Sequence, residues 1–320
     1  MTALLLNIAT PWGAADAVAA AEQALAGGLD GVGLADSPRL FPDGFVETQR
    51  ILDATPAALA GPCVASLGLR HPVTVAGALR TLEQHHPGRV LTVVGRGESS
   101  VLNEGLPLPP LRGYSAALEA LRDRLTTEDG GPIAPGRVLG AASGPRTIAA
   151  TAASLGGVLI DAGVEADVVT RAVGLAREQD PQVTVWLFLR ATVTASEEEA
   201  ATATDPVLGS CAMRIVAAPE WNGVAESELT GVRAVAESHD YTRHGSAGAR
   251  GGVRTAADAF VRDRFVLTGD PDRIAARVRP LAGLGVAGVV LAGALAGTQE
   301  RLPELAGALR RGLQVSAERR

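Results

Sequence analysis

Lysine is missing from this chain of 320 residues, so all 29 of its cationic side chains are arginines. That rules out mechanisms built on a lysine Schiff base and phosphate loops that depend on a lysine. Cysteine is nearly as scarce: Cys63 and Cys211 are too few and too far apart for a disulfide framework or a thiolate metal site. Reduced thiols in a cytoplasm fit that usage. No apolar run approaches the roughly 20 residues of a membrane-spanning helix. The N-terminal stretch from Met1 to Trp12 carries no basic leader, so a soluble protein without a signal peptide is expected. Clustered positive charge is lacking too. A net charge of −6 argues against nucleic acid or an anionic membrane as partner, because such binding draws its affinity from grouped cations. The few histidines do not form a metal site: His85 and His86 adjoin a predicted helix end, and His239 and His244 lack a convincing ligand spacing.

What is present is a hydrophobic content of 47% against 20% charge, enough for a substantial buried core. Strand-like apolar runs at 3–9, 31–35, 58–65, 90–95, 137–141, 157–160, 184–191 and 288–292 alternate with helical stretches at 14–26, 45–54, 73–84, 145–154, 166–178 and 271–284. Such alternation implies parallel strands joined by helical crossovers, and eight strands are the number that closes a (β/α)8 TIM barrel. The expected fold is therefore α/β, a single barrel domain over residues 1–320. One stretch, 205–264, has little strand signal, several glycines (Gly245, Gly248, Gly251, Gly252) and both His239 and His244. It reads as a long, partly helical insertion before the last strand, either a lid over the barrel or a surface excursion without a role.

Candidate chemistry lies where apolar runs stop, which in a barrel is the C-terminal rim. The first segment is Asp36-Ser37-Pro38. Asp36 can accept a hydrogen bond from a cofactor ring or simply cap the next turn. The second runs from Cys63-Val64-Ala65 to Arg70-His71-Pro72, where proline suits the first position of a helix. The third is Gly95-Arg96-Gly97-Glu98, whose glycines allow either a tight turn or close backbone approach to a flat ring. The fourth, Ala141-Ala142-Ser143-Gly144-Pro145, opens a helix whose free N–H groups make an anion site. His244 could reach a substrate from the insertion.

The block Arg70-His71-Pro72, Thr81-Leu82, Gly88-Arg89 and Gly95-Arg96-Gly97-Glu98, with Phe265-Val266-Leu267-Thr268-Gly269-Asp270-Pro271 near the end, resembles the bacterial-luciferase-like enzymes, in particular their coenzyme F420-dependent reductase branch. The resemblance implies a luciferase-like barrel and a non-proline cis peptide at Cys63-Val64, forming a bulge behind the cofactor ring. It implies cofactor contacts from Asp36, Cys63, Val64, Ala65, Gly95, Gly97 and the stretch Ala141, Ala142, Ser143, Gly144, Pro145. It also implies F420 as cofactor, with FMN as the alternative, a small-molecule substrate and a homodimer. Glu98 matches the branch's proton donor, with a solvated loop carboxylate as the lesser alternative. Dehydrogenases of the branch carry histidine after the aspartate, and here that position is Ser37. A serine hydroxyl is too weak a base near neutral pH to take the proton unaided. Hydride delivery to a C=N or C=C bond is accordingly the expected reaction, with an FMN monooxygenase or a non-catalytic flavin-binding member as alternatives.

Overall fold

Every barrel strand alternates residues between two apolar environments, and that alternation builds the molecule. In the computed structural model, residues 2–9, 11, 13, 16–55, 59–125, 133, 136–240, 254–293, 295 and 300–314 are described. The strands are β1 (Ala3–Ile8), β2 (Gly31–Leu34), β3 (Leu59–Ser66), β4 (Thr92–Gly95), β5 (Val138–Ala142), β6 (Gly157–Ile160), β7 (Thr184–Val193), β8 (Val266–Gly269) and β9 (Gly288–Ala292). Strands β1 to β7 pair in sequence, β7 pairs with β9, and β9 returns to β1, all in parallel, so eight strands close a barrel. Leu5, Cys63, Leu91, Val93, Leu139, Leu159, Trp186 and Val290 fill its interior. Their neighbours along the strands, including Leu4, Leu6, Val32, Val94, Val158, Leu187 and Leu291, face the helices. This is the two-layer packing expected of a (β/α)8 barrel.

The surrounding helices are α1 (Ala17–Ala26), α2 (Gly44–Ala54), α3 (Pro72–His85), α4 (Glu98–Asn103), α5 (Leu111–Leu125), α6 (Pro145–Leu155), α7 (Ala166–Gln179), α8 (Glu197–Ala217), α9 (Glu226–Glu237), α10 (Ala256–Phe265), α11 (Pro271–Val278) and α12 (Leu302–Leu313). Several start where the sequence carries capping chemistry. Asp43 accepts hydrogen bonds from Phe45 and Val46 N–H, and Asp270 from Asp272 and Arg273, with Pro271 following. His71 caps α3 by accepting from Val73 N–H, with Pro72 at the first helical position.

The described part of the expected insertion differs from its sequence reading in two ways. It is helical as expected, but it begins before residue 205: Ser196 accepts from Glu199 N–H while the Glu199 carboxylate accepts from Ala195 N–H, starting α8 at Glu197. Helices α8, α9 and α10 share their own apolar core, built on Leu208, Cys211, Ile215, Val232, Val261 and Phe265. The second difference is β8, a short strand where no strand was expected. It pairs with the far half of β7, Arg190 opposite Val266 and Val193 opposite Gly269. Among the described residues no helix is long and apolar enough to cross a membrane.

Candidate active site

The inner-face residues at the C-terminal ends of the strands form the floor of the barrel mouth. Small side chains dominate from β2 to β5. Gly33 leaves room for Cys63 and Asn7: a Cβ there would lie 2.7 Å from Cys63 Cβ and 3.1 Å from Asn7 Oδ1. The Cys63–Val64 peptide is cis, and the register between β3 and β4 shifts between Cys63 and Ala65. Val64 packs over Gly95, where a Cβ would meet Val64 Cγ1 at 2.6 Å and Ala141 Cβ at 3.4 Å. Glycine at position 95 is therefore what lets the bulge lie against β4. Burial pushes the Cys63 thiol up to about 12, so it remains protonated and contributes shape rather than nucleophilicity.

On one flank of β3, Asp36 is buried and engaged. It accepts Arg70 Nε and Nη2, each at 2.8 Å, and Gly44 N–H at 3.2 Å. Arg70 also donates to Asp43 at 2.8 Å and lies over the Phe45 ring, 5.1 Å from its centroid. One guanidinium thus ties the end of β2 to the start of α2. Next to this anchor, the Ser37 carbonyl accepts from Leu40 and Phe41 N–H. The Ser37 side chain is buried, yet its hydroxyl has no partner among the described residues, and neither has Asn7 Oδ1 at the end of β1. Buried polar atoms without partners are rare, because each forfeits its solvation.

On the other flank, Gly97 takes φ +79° and begins α4. A Cβ there would fall 1.8 Å from Ser66 Oγ, so both conformation and space require glycine. Arg96 fixes the loop that follows α4 by donating twice to Pro109 O, at 3.0 and 2.7 Å. Glu98 heads α4 with its side chain exposed. Its charge reaches His239, just past α9. Burial and the Arg214 charge hold the His239 imidazole below its ordinary value, against the opposing pull of Asp240 and Glu98.

Next around the rim, β5 ends and Gly144 caps α6. A Cβ at Gly144 would meet no atom within 4 Å, and its N–H donates to Thr147 Oγ1 at 3.2 Å. Tyr114, buried beneath this turn, bridges Val94 O and Ala141 O at 3.3 Å each.

A charged group that the sequence reading did not single out completes the mouth. Arg190 faces inward on β7, stacked 5.1 Å from the Phe188 centroid, and donates to both oxygens of Asp161 at 2.7 and 3.0 Å. Arg214 of α8 makes a second ion pair with Asp161. Burial alone would raise the Asp161 carboxyl, but the two guanidinium charges outweigh it and hold the group down at about 2.

A family model described as luciferase-like monooxygenase matches residues 7–288. The chain belongs to the luciferase-like family. Among solved structures, the coenzyme F420-dependent tetrahydromethanopterin reductase from Methanopyrus kandleri overlays with a TM-score of 0.73 at 16% identity, covering 98% of this chain and 99% of that one. An F420-dependent secondary alcohol dehydrogenase in complex with an F420–acetone adduct gives 0.71 at 16% identity, with 98% and 99% covered. EDTA monooxygenase from Chelativorans sp. BNC1 gives 0.63 at 13%, with 97% and 93% covered. At these identities the likeness establishes the shared barrel. No curated protein sequence matches this chain.

In this luciferase-like barrel, Asp36, Ser37, Cys63, Val64, Gly95, Gly97, Glu98, Ala141, Ala142, Ser143, Gly144 and Pro145 all lie at the ends of β2 to β5 or in the turns that follow. Ala65 and Ala142 turn their side chains outward into the helix-facing core, so only their backbone borders the mouth. His244 lies outside the described residues. Arg70, Asp161, Arg190, Arg214 and His239 join the rim through partners distant in sequence. A separate cavity of about 170 Å³, lined by Glu197, Asp205, Arg254, Asp258 and Arg262 among others, lies between α8 and the α10 region and includes none of the predicted residues.

Proposed function

We propose that this rim binds reduced coenzyme F420 and directs its hydride onto a C=N or C=C bond of a small molecule. The observation that carries the reading is the asymmetry about β3. A buried, unpartnered Ser37 hydroxyl stands on one side, the exposed Glu98 carboxylate on the other, and a floor of Gly33, Gly95 and Ala141 lies around them. The residues suit a flat ring: glycines permit close approach, and the orphaned Ser37 and Asn7 atoms supply hydrogen bonds at its edge. When bound, reduced deazaflavin supplies a hydride and lacks the N5 that makes reduced flavins react with oxygen.

The remaining work falls to the chain. The N–H groups opening α6 at Gly144 suit the phosphate of a cofactor tail. Asp36 serves as the anchor that, through Arg70 and Gly44, fixes the backbone carrying Ser37. Glu98 delivers a proton to the substrate atom next to the one that receives hydride. Ser37 cannot serve as a base, which favours reduction over alcohol oxidation. The matching family model is described as a monooxygenase, and an FMN-dependent oxygenation at the same rim is the competing reading.

Fluorescence titration of the purified protein with F420 and with FMN separates the two. Selective binding of F420 is expected, whereas binding of FMN alone would overturn the proposal. Glu98→Gln is expected to keep cofactor affinity and to lower turnover by about a hundredfold or more, the range for loss of a general acid. Unchanged turnover would remove Glu98 from the mechanism.

A further inference from the structure

Around the triad of Asp161, Arg190 and Arg214 the charges do not balance. Two guanidinium groups share one carboxylate, and the neighbouring Cys211 thiol is buried with its ionisation pushed up by that burial, so it adds no negative charge. His239 also senses Arg214 and is held toward its neutral form. Within the triad itself the guanidinium groups thus outnumber the carboxylate by one, in a setting where Arg190 is buried and Asp161 nearly so, an arrangement suited to receiving an anion.

The two arginines differ in what they leave free. Arg190 is 4% exposed and spends both Nη groups on Asp161. Arg214 is 24% exposed; its Nε sits beside Asp161, its Nη1 donates to Ser210 O at 2.6 Å, and its Nη2 has no partner among the described residues. Arg214 is thus held through Nε and Nη1 and stays partly exposed beside Asp161. The triad occupies the β6, β7 and α8 sector, whereas the small-residue floor and the α6 N-terminus occupy the β2 to β5 sector. Under the proposed function the cofactor takes the β2 to β5 sector, so the anion that the triad would receive is the substrate's.

We infer that Arg214, braced by the Asp161–Arg190 pair, is the substrate-recognition subsite, and that the substrate carries a carboxylate or phosphate group bound there. This deepens the reductase reading and rests on it for the word substrate. Arg214 meets the rim through Asp161, just past β6, and Glu98 stands on the same rim at the start of α4.

The test uses benzoate and inorganic phosphate as probes, measured by isothermal titration calorimetry with and without saturating F420, on the native protein, Arg214→Gln and Arg214→Lys. At least one probe is expected to bind the native protein at millimolar concentration. Arg214→Gln should weaken that probe roughly tenfold or more, as expected for one charge-assisted contact, and leave F420 affinity unchanged. Arg214→Lys keeps the charge but loses the planar fork, and an intermediate affinity is expected. Far-ultraviolet circular dichroism and thermal melting confirm that each variant is folded. Binding of neither probe by the native protein overturns the inference, as does equal binding by Arg214→Gln. A loss of F420 affinity in Arg214→Gln reassigns the subsite to the cofactor tail and overturns it too. Because the probe arm without F420 stands alone, failure of F420 to bind would count against the reductase reading only.

Discussion

At the scale of single residues, Arg70 shows how a loop side chain can hold a site it does not line. It satisfies Asp36, whose side chain is only 2% exposed, and reaches Asp43 on the next element. Arg70→Met would leave the Asp36 carboxylate buried with Gly44 N–H as its remaining donor, and we expect a loss of about 3 kcal/mol in urea unfolding. The double variant Arg70→Met with Asp36→Asn should recover part of that loss, since the uncompensated charge is gone; no recovery would mean that Arg70 acts by packing on Phe45 instead. None of this is visible along the chain. Arg70 and Asp36 are 34 positions apart, and Asp161 and Arg190 are 29 apart. Ser37, Glu98 and the glycines were legible because each belongs to a local pattern at a strand end. Arg190 was not, because a lone arginine within an apolar strand has no local signature, and only barrel closure aims it inward.

At the scale of elements, periodicity carried almost everything. The eight expected strands and the six expected helices all exist, with ends displaced by up to about three residues, except that the helix expected over 271–284 stops as α11 at Val278 and continues as a 3-10 helix, Arg279–Leu284. The cis linkage at Cys63–Val64 and the accompanying register shift also follow the sequence resemblance. Two features escaped. The start of α8 was signalled by Ser196 with Glu199 three residues on, a capping pair hidden in an acidic run that reads as solvated charge. Strand β8 follows α10 without a turn, Phe265 leading directly into Val266, so no Gly, Pro or Asn marks its beginning. Four residues of strand flush against a helix resemble the helix's own apolar face.

At the scale of the whole molecule, the Asp161 cluster joins β6, β7 and α8 and couples their stability to pH. Its carboxyl sits at about 2 in the folded protein against an ordinary 3.8. A depressed folded value means that the stabilisation is complete above the unfolded value and lost as pH falls toward the folded one. The window is therefore between about pH 4 and pH 2, and the contribution is about 2 kcal/mol. Urea midpoints recorded across that window should fall more steeply for the native protein than for Asp161→Asn, which should already be weaker at neutral pH. Parallel curves would show that the cluster does not govern the acid limb. Asp43, Asp167 and Asp270 are also held low and slope both curves alike, so the difference between them isolates Asp161.

Strand β7 outruns the barrel. Its first half is clasped by β6 and β9, and its second half, from Arg190 onward, by β8 at the foot of the α8 to α10 packet. One strand thus belongs both to the barrel wall and to the base of the helical packet. A break in the pairing of Arg190–Val193 with β8 would therefore disturb the barrel wall and the helical packet through one strand.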